Sequence, residues 1–242
     1  MINKRLRIQF VWFLALSGAL LSCLSISWWI NAQAHYGYAQ FYDYYNIGEH
    51  IERFAPQNQY ILGLNNLDKE EHIELFNQIS VAVHNHGKGL ADIDFKVQGK
   101  TTKLLHQAEV IHLQDVANLI DKLRLAAVVT LIMTSLLLAY LFRNKIKPKL
   151  KTQLLCLSLL VSFVVLMIFI VGPTKAFYQF HVWVFPDGHQ WFFYYQESLM
   201  STMMKAPDLF GGIAASIFTI GLILFALLLM LFSYLYRFLK FR

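Results

Sequence analysis

Thiols are scarce in this chain of 242 residues, which holds two cysteines. Cys23 and Cys156 both fall inside long apolar runs, so the segments between those runs have no disulfide framework and no thiol for catalysis. Charge is scarce as well. Asp, Glu, Lys and Arg make up 15% of the residues against 57% hydrophobic, well above the roughly 45–50% apolar content of a soluble domain. HExxH, CxxC, P-loop and GxSxG patterns are missing, which leaves zincin, dithiol, phosphate-loop and serine-hydrolase chemistry without their usual signatures. There is no internal repeat and no low-complexity tract.

What is present is hydrocarbon. Four runs, 8–30, 125–142, 154–172 and 213–235, reach the roughly 17–25 apolar residues that a helix needs to cross a bilayer. They predict an α-helical integral membrane protein with four transmembrane helices. Short cytoplasmic loops retain Lys and Arg. Lys4, Arg5 and Arg7 precede the first run, Arg143, Lys145, Lys147, Lys149 and Lys151 fill the middle loop (143–153), and Arg237, Lys240 and Arg242 end the chain. Both termini are therefore expected in the cytoplasm, with 31–124 and 173–212 facing outward. The net charge of +6 then reads as a topology signal and not as a nucleic-acid footprint. The first run is longer than the roughly 7–15 residues of a signal-peptide core, which favours an uncleaved anchor. Spans two to four contain no charged residue to mark a polar path, which argues against a channel or transporter.

The outward segments carry patterns of their own. Tyr36, Tyr38, Phe41, Tyr42, Tyr44 and Tyr45 crowd together as an aromatic belt at the headgroup level or as the floor of a lipid cavity. A short helix is expected over Glu49–Phe54, stopped near Pro56. A longer one starts at Asp68 with Glu71 as its capping-box partner and Ile73, Phe76, Ile79 and Val83 as its apolar stripe. Ile93, Phe95 and Val97 alternate with polar residues as a strand, and Gly99 offers a turn towards Thr101. The first outward segment is thus a small, mixed, mostly helical cap. It ends in a juxtamembrane helix that runs straight into the second span. In the second segment, Phe177, Phe180, His181, Val184 and Phe185 follow helical spacing. Pro186-Asp187-Gly188 turns the chain, and Leu199, Met203 and Met204 suggest an interfacial helix before Pro207.

All nine histidines (35, 50, 72, 84, 86, 106, 112, 181 and 189) lie in the outward segments. Most are expected to be solvated surface groups. His112 and His181 stand out because each sits on a helix beside a membrane boundary. Asp115 is one turn from His112, close enough to hold its ring in one tautomer; the plain alternative is an ordinary surface contact. His84, Asn85 and His86 with His106 offer a loose metal site.

Three stretches, HLQDV (112–116), FHVWVFPDGHQW (180–191) and SLMSTMMKAPDLF (198–210), resemble the bacterial four-span membrane family that includes the lipoprotein intramolecular transacylase. Their order and their placement among the spans carry the resemblance over nearly the whole chain. It implies an acyltransferase of the bacterial cytoplasmic membrane, with its active site facing outward. The enzyme would move the sn-2 acyl chain of a diacylglyceryl lipoprotein to the α-amine of the N-terminal cysteine, giving a lyso-form lipoprotein. It also implies His112 and His181 as the functional histidines, Asp115 and Trp191 as supporting positions, and no cofactor. Such a reaction explains the missing nucleophile motifs, because the attacking amine belongs to the substrate. An α-amine with a pKa near 7.7–8.0 needs only a modest base. On this reading His112 takes the proton and His181 polarises the ester or protonates the leaving oxygen, although the sequence ranks neither assignment above its reverse. Two alternatives come from other classes: a metal-dependent membrane protein using the outward histidines, and a non-catalytic assembly or sensor factor whose cap binds a partner.

Overall fold

The computed structural model describes residues 4–240. Arg242 of the C-terminal basic cluster lies outside them, as do the side chains of Lys4, Arg5, Arg237 and Lys240. Among the described residues, four helices are long and apolar enough to cross a membrane. They are α1 (Lys4–Gln33), α5 (Gln107–Arg143), α6 (Leu150–Val171) and α9 (Ala206–Lys240). The chain divides into two compact units.

The first unit comprises Met1–Trp28, Arg124–Phe180 and Phe218–Arg242. Trp12 is fully buried there, set edge-on to Phe232 at 5.4 Å between ring centroids. A second cluster gathers Ala19, Leu20, Cys23, Leu157 and Phe225. Gln153 is buried within this apolar setting, and its Nε2 donates to the Gln9 carbonyl (3.0 Å) and to Gln9 Oε1 (2.9 Å). That pairing avoids the cost of an unmatched amide away from water. Large apolar side chains such as Leu125, Leu136, Phe169 and Ile170 point away from the protein. Such a surface is sustainable when the surrounding solvent is hydrocarbon.

The second unit comprises Trp29–Leu123 and His181–Ile217. It contains α2 (Tyr38–Tyr44), α3 (Ile47–Phe54), α4 (Lys69–His84), a hairpin of β1 (Asp94–Val97) with β2 (Lys100–Lys103), and the start of α5. The expected capping box of α4 is present: Asp68 accepts the Glu71 N–H at 2.8 Å, and Glu71 accepts the Asp68 N–H at 2.9 Å. The apolar stripe is turned slightly from its expected position. Leu75, Phe76, Ile79 and Val83 are buried together with His72, while Ile73 is half-buried. The hairpin turns through Gln98 and Gly99 with φ of 50° and 79°, the positive pair that a two-residue loop requires to match strand twist. Its register places Phe95 opposite Thr102.

Three local expectations are corrected here. His72 is not a solvated group: it is buried, with Tyr42 Oη donating to Nδ1 (2.9 Å) and Nε2 bonded to the Leu64 carbonyl (2.9 Å). The aromatic cluster is not purely a belt. Tyr38 is buried, stacked on Phe76 at 4.1 Å with its hydroxyl on the Met203 carbonyl, and Tyr42 is buried beside it, whereas Tyr44 is exposed. Finally, the interfacial helix before Pro207 is a single turn, α8 (Leu199–Thr202), and Leu199, Met203 and Met204 are core residues. Lys205, between α8 and α9, separates the two helices at φ 45°. Pro207 then takes an early position in α9, where its missing N–H has no helical bond to forfeit.

Candidate active site

α5 supplies one wall of the site. His106 precedes the helix and its Nδ1 accepts the Ala108 N–H at 3.3 Å, while Glu109 stands in the first turn, where the exposed N–H groups of a helix start favour a carboxylate. Glu109, His112 and Asp115 follow at intervals of three and share one face. All three are buried, at 1%, 4% and 9% exposure. α5 is unbroken from Gln107 to Arg143, and at about 1.5 Å per residue it is far longer than a bilayer core. These three side chains therefore precede the apolar stretch that starts at Leu125.

The opposite wall begins with α7 (Pro173–Val184), which starts with proline directly after Gly172 and stops before Pro186. That stop is expected, since the residue before proline is pushed out of helical geometry. His181 lies in the last turn of α7, and its ring centroid is 6.5 Å from that of His112 with planes 25° apart. The two expected histidines are therefore brought together. Phe185 lies beside both, 5.1 Å from His112 and 5.2 Å from His181, and Trp191 stands 4.7 Å from His181. Phe193 completes the surroundings of His112 at 6.0 Å.

Burial in this aromatic setting, with the second imidazole adding to it, pushes His112 down to about 4, against a smaller opposing pull from Asp115. His112 is thus neutral throughout the physiological range. Asp115 acts on it through its charge. The carboxylate's hydrogen bond goes to another residue: Oδ2 accepts from His189 Nδ1 at 2.6 Å. An ionised carboxylate can only accept, so the hydrogen sits on Nδ1. His189 is 42% exposed.

Two residues that sequence reasoning passed over belong to this cluster. His189 follows a proline-glycine turn and has no periodicity to mark it. Glu109 left a fainter signal, as an acid one turn before His112 on the same face. Its Oε1 accepts the Leu199 N–H at 2.6 Å, and its Oε2 is buried with no hydrogen-bond partner among the described residues. Burial lifts the carboxyl to about 7, opposed chiefly by the Leu199 N–H.

The loose metal set is dispersed into separate contacts. His84 Nε2 meets Tyr36 Oη at 2.6 Å, His86 pairs with Asp121, and His106 Nε2 donates to the Glu197 carbonyl. Among the described residues, no group of three or more His, Cys, Asp or Glu side chains is gathered so as to hold a metal ion.

The family model described as "Lipoprotein intramolecular transacylase Lit" matches residues 10–210. Two solved structures of the membrane integral lipoprotein intramolecular transacylase Lit from Bacillus cereus are similar in fold. One, a point variant, gives a TM-score of 0.70 at 15% identity, covering 97% of this chain and 94% of its own. The other gives 0.67 at 15% identity, covering 99% and 100%. No curated protein matches the chain.

Proposed function

The chain belongs to the lipoprotein intramolecular transacylase family, and on that premise we propose that His112 and His181 move the sn-2 acyl chain of a diacylglyceryl lipoprotein to the α-amine of its N-terminal cysteine. The observation that carries the assignment is the facing of two imidazoles at 6.5 Å within an aromatic enclosure. The amine nitrogen attacks the ester carbonyl carbon, the new C–N bond forms, and the bond to the glyceryl oxygen breaks. The proton lost by nitrogen ends on that oxygen, so an amide and a free hydroxyl replace an amine and an ester.

His112 acts as the base. Its neutrality keeps the lone pair available, and an imidazolium there is disfavoured by about 3 kcal/mol relative to water, at ~1.4 kcal/mol per pKa unit. A proton taken from the attacking nitrogen is therefore passed on and not retained. His181 assists at the ester side, polarising the carbonyl or protonating the glyceryl oxygen as general acid. Asp115 biases the His112 side electrostatically, and the Trp191 ring, tilted against His181, limits the orientations open to that imidazole. Holding amine and ester together in one molecule supplies the proximity term.

The reaction requires a membrane-anchored lipoprotein as partner. The basic segments favour the bacterial cytoplasmic membrane, with both termini inside and the two histidines outside. Expression in a bacterial strain unable to N-acylate its lipoproteins, followed by mass spectrometry of an N-terminal lipopeptide, tests the reading. One chain shifted from glycerol to the α-amine supports it. An unchanged diacylglyceryl peptide beside well-expressed protein refutes it.

A further inference from the structure

His112 lies midway between two carboxylates of α5, one turn from each, and both reach across to the segment that follows α7. Asp115 holds His189 by a 2.6 Å bond, and Glu109 holds the Leu199 N–H by another of 2.6 Å. Between these two attachments, ten residues apart in sequence, the chain carries Trp191 and Phe193, whose rings lie against His181 and His112 respectively.

We infer that Glu109 and His189 are positioning residues that moor segment 189–199 to α5 on either side of His112, keeping that imidazole dry and facing His181. This rests on the transacylase reading for its effect on catalysis, though not for its geometry. Three observations support it. Glu109 is 1% exposed, with Oε1 on the Leu199 N–H and Oε2 3.8 Å from His106 Nε2, so the carboxyl that holds the segment is itself fixed and shielded from water. The Leu199 N–H it accepts is one of the groups left free of helical partners at the start of α8, where the Ser198 side chain accepts the Ser201 N–H. Asp115 is committed to His189 although His112 is its neighbour on the helix, so its carboxylate secures the loop directly.

The geometry dictates the test. A neutral, accessible imidazole reacts with diethyl pyrocarbonate, and peptide mass spectrometry locates the adduct. In the wild-type protein, His112 should resist labelling. In E109A and in H189A its labelling should rise at least fivefold, with kcat for a lipopeptide falling at least tenfold and KM changing less than threefold. E109Q keeps an oxygen for the Leu199 N–H and should stay within about threefold of wild type in both readouts. His72, buried in the cap core at 3% exposure, is the internal control. His112 labelling that rises while His72 stays protected supports the mooring. Labelling unchanged in both alanine variants, or rising equally at His72, overturns it. The labelling requires no turnover, so a protein inactive as a transacylase would refute the proposed function while still deciding the mooring.

Discussion

The imidazoles of His112 and His181 face each other at 6.5 Å between centroids, one from the middle of a buried helix face and the other from the last turn of a shorter helix. The protein keeps both among phenylalanine and tryptophan rings.

If that pair carries the chemistry, H112A and H181A should each reduce transfer by at least about 100-fold, the scale on which general acid–base groups contribute. Membrane levels of both variants should remain near wild type. Quantitative lipopeptide mass spectrometry beside immunoblotting checks this, and two active variants would discard the two-histidine mechanism.

The Trp191 ring lies against His181 at 4.7 Å, tilted by 34°. W191A should lower kcat by roughly tenfold through loss of ring orientation, and W191F should restore most of it by replacing the aromatic face. Steady-state kinetics on a synthetic diacylglyceryl peptide measures both.

Burial holds His112 at about 4 in the fold, below the ordinary imidazole value of 6.5. The unfolded chain binds the proton first as pH falls, so this residue contributes stability above 6.5 that is lost progressively between 6.5 and 4. The loss amounts to about 3 kcal/mol at ~1.4 kcal/mol per unit. In H112Q that portion of the acid destabilisation should disappear from thermal melts taken across pH 4 to 7.

Glu109 works in the opposite sense. Burial lifts it to about 7 in the fold, above the ordinary carboxyl value of 4.5, so the native state holds its proton longer and stability falls as pH rises from 4.5 to 7. E109Q should flatten that slope, again by about 3 kcal/mol at most. A slope identical to wild type would mean that the carboxyl is better solvated than its burial indicates.

D68A removes the acceptor for the Glu71 N–H at the start of α4 and should cost about 0.5–2 kcal/mol. Because α4 contributes no group to the histidine cluster, kcat of the folded enzyme should be unchanged.

Periodic features were legible in the sequence. The four apolar helices, the Asp68–Glu71 box, the hairpin and the uninterrupted run of α5 all follow from residue spacing and local chemistry. The pairing of His112 with His181 came from a resemblance of short motifs, since no periodicity links residues so far apart in the chain. What stayed hidden was tertiary in origin. Spacing on a helix offered Asp115 to His112 but cannot show that a loop histidine claims the carboxylate's hydrogen bond. Nor can it show that Glu109 is buried and accepts the Leu199 N–H. The six-aromatic cluster misled because composition suits a headgroup belt and a packed core equally, and only the partners, Phe76 for Tyr38 and His72 for Tyr42, separate the two.

From Gln107 to Arg143 the sequence of α5 contains neither glycine nor proline, so the helix has no built-in joint. The segment facing it has both, with Pro186 followed by Gly188 at φ 84°. A lipid-bearing peptide needs room to come and go, and a stiff rod cannot bend to provide it. His112 is in this sense mounted on the rigid jaw of a vice. The facing jaw is the Pro186–Ser198 stretch, tied back to that same rod through His189 and the Leu199 N–H.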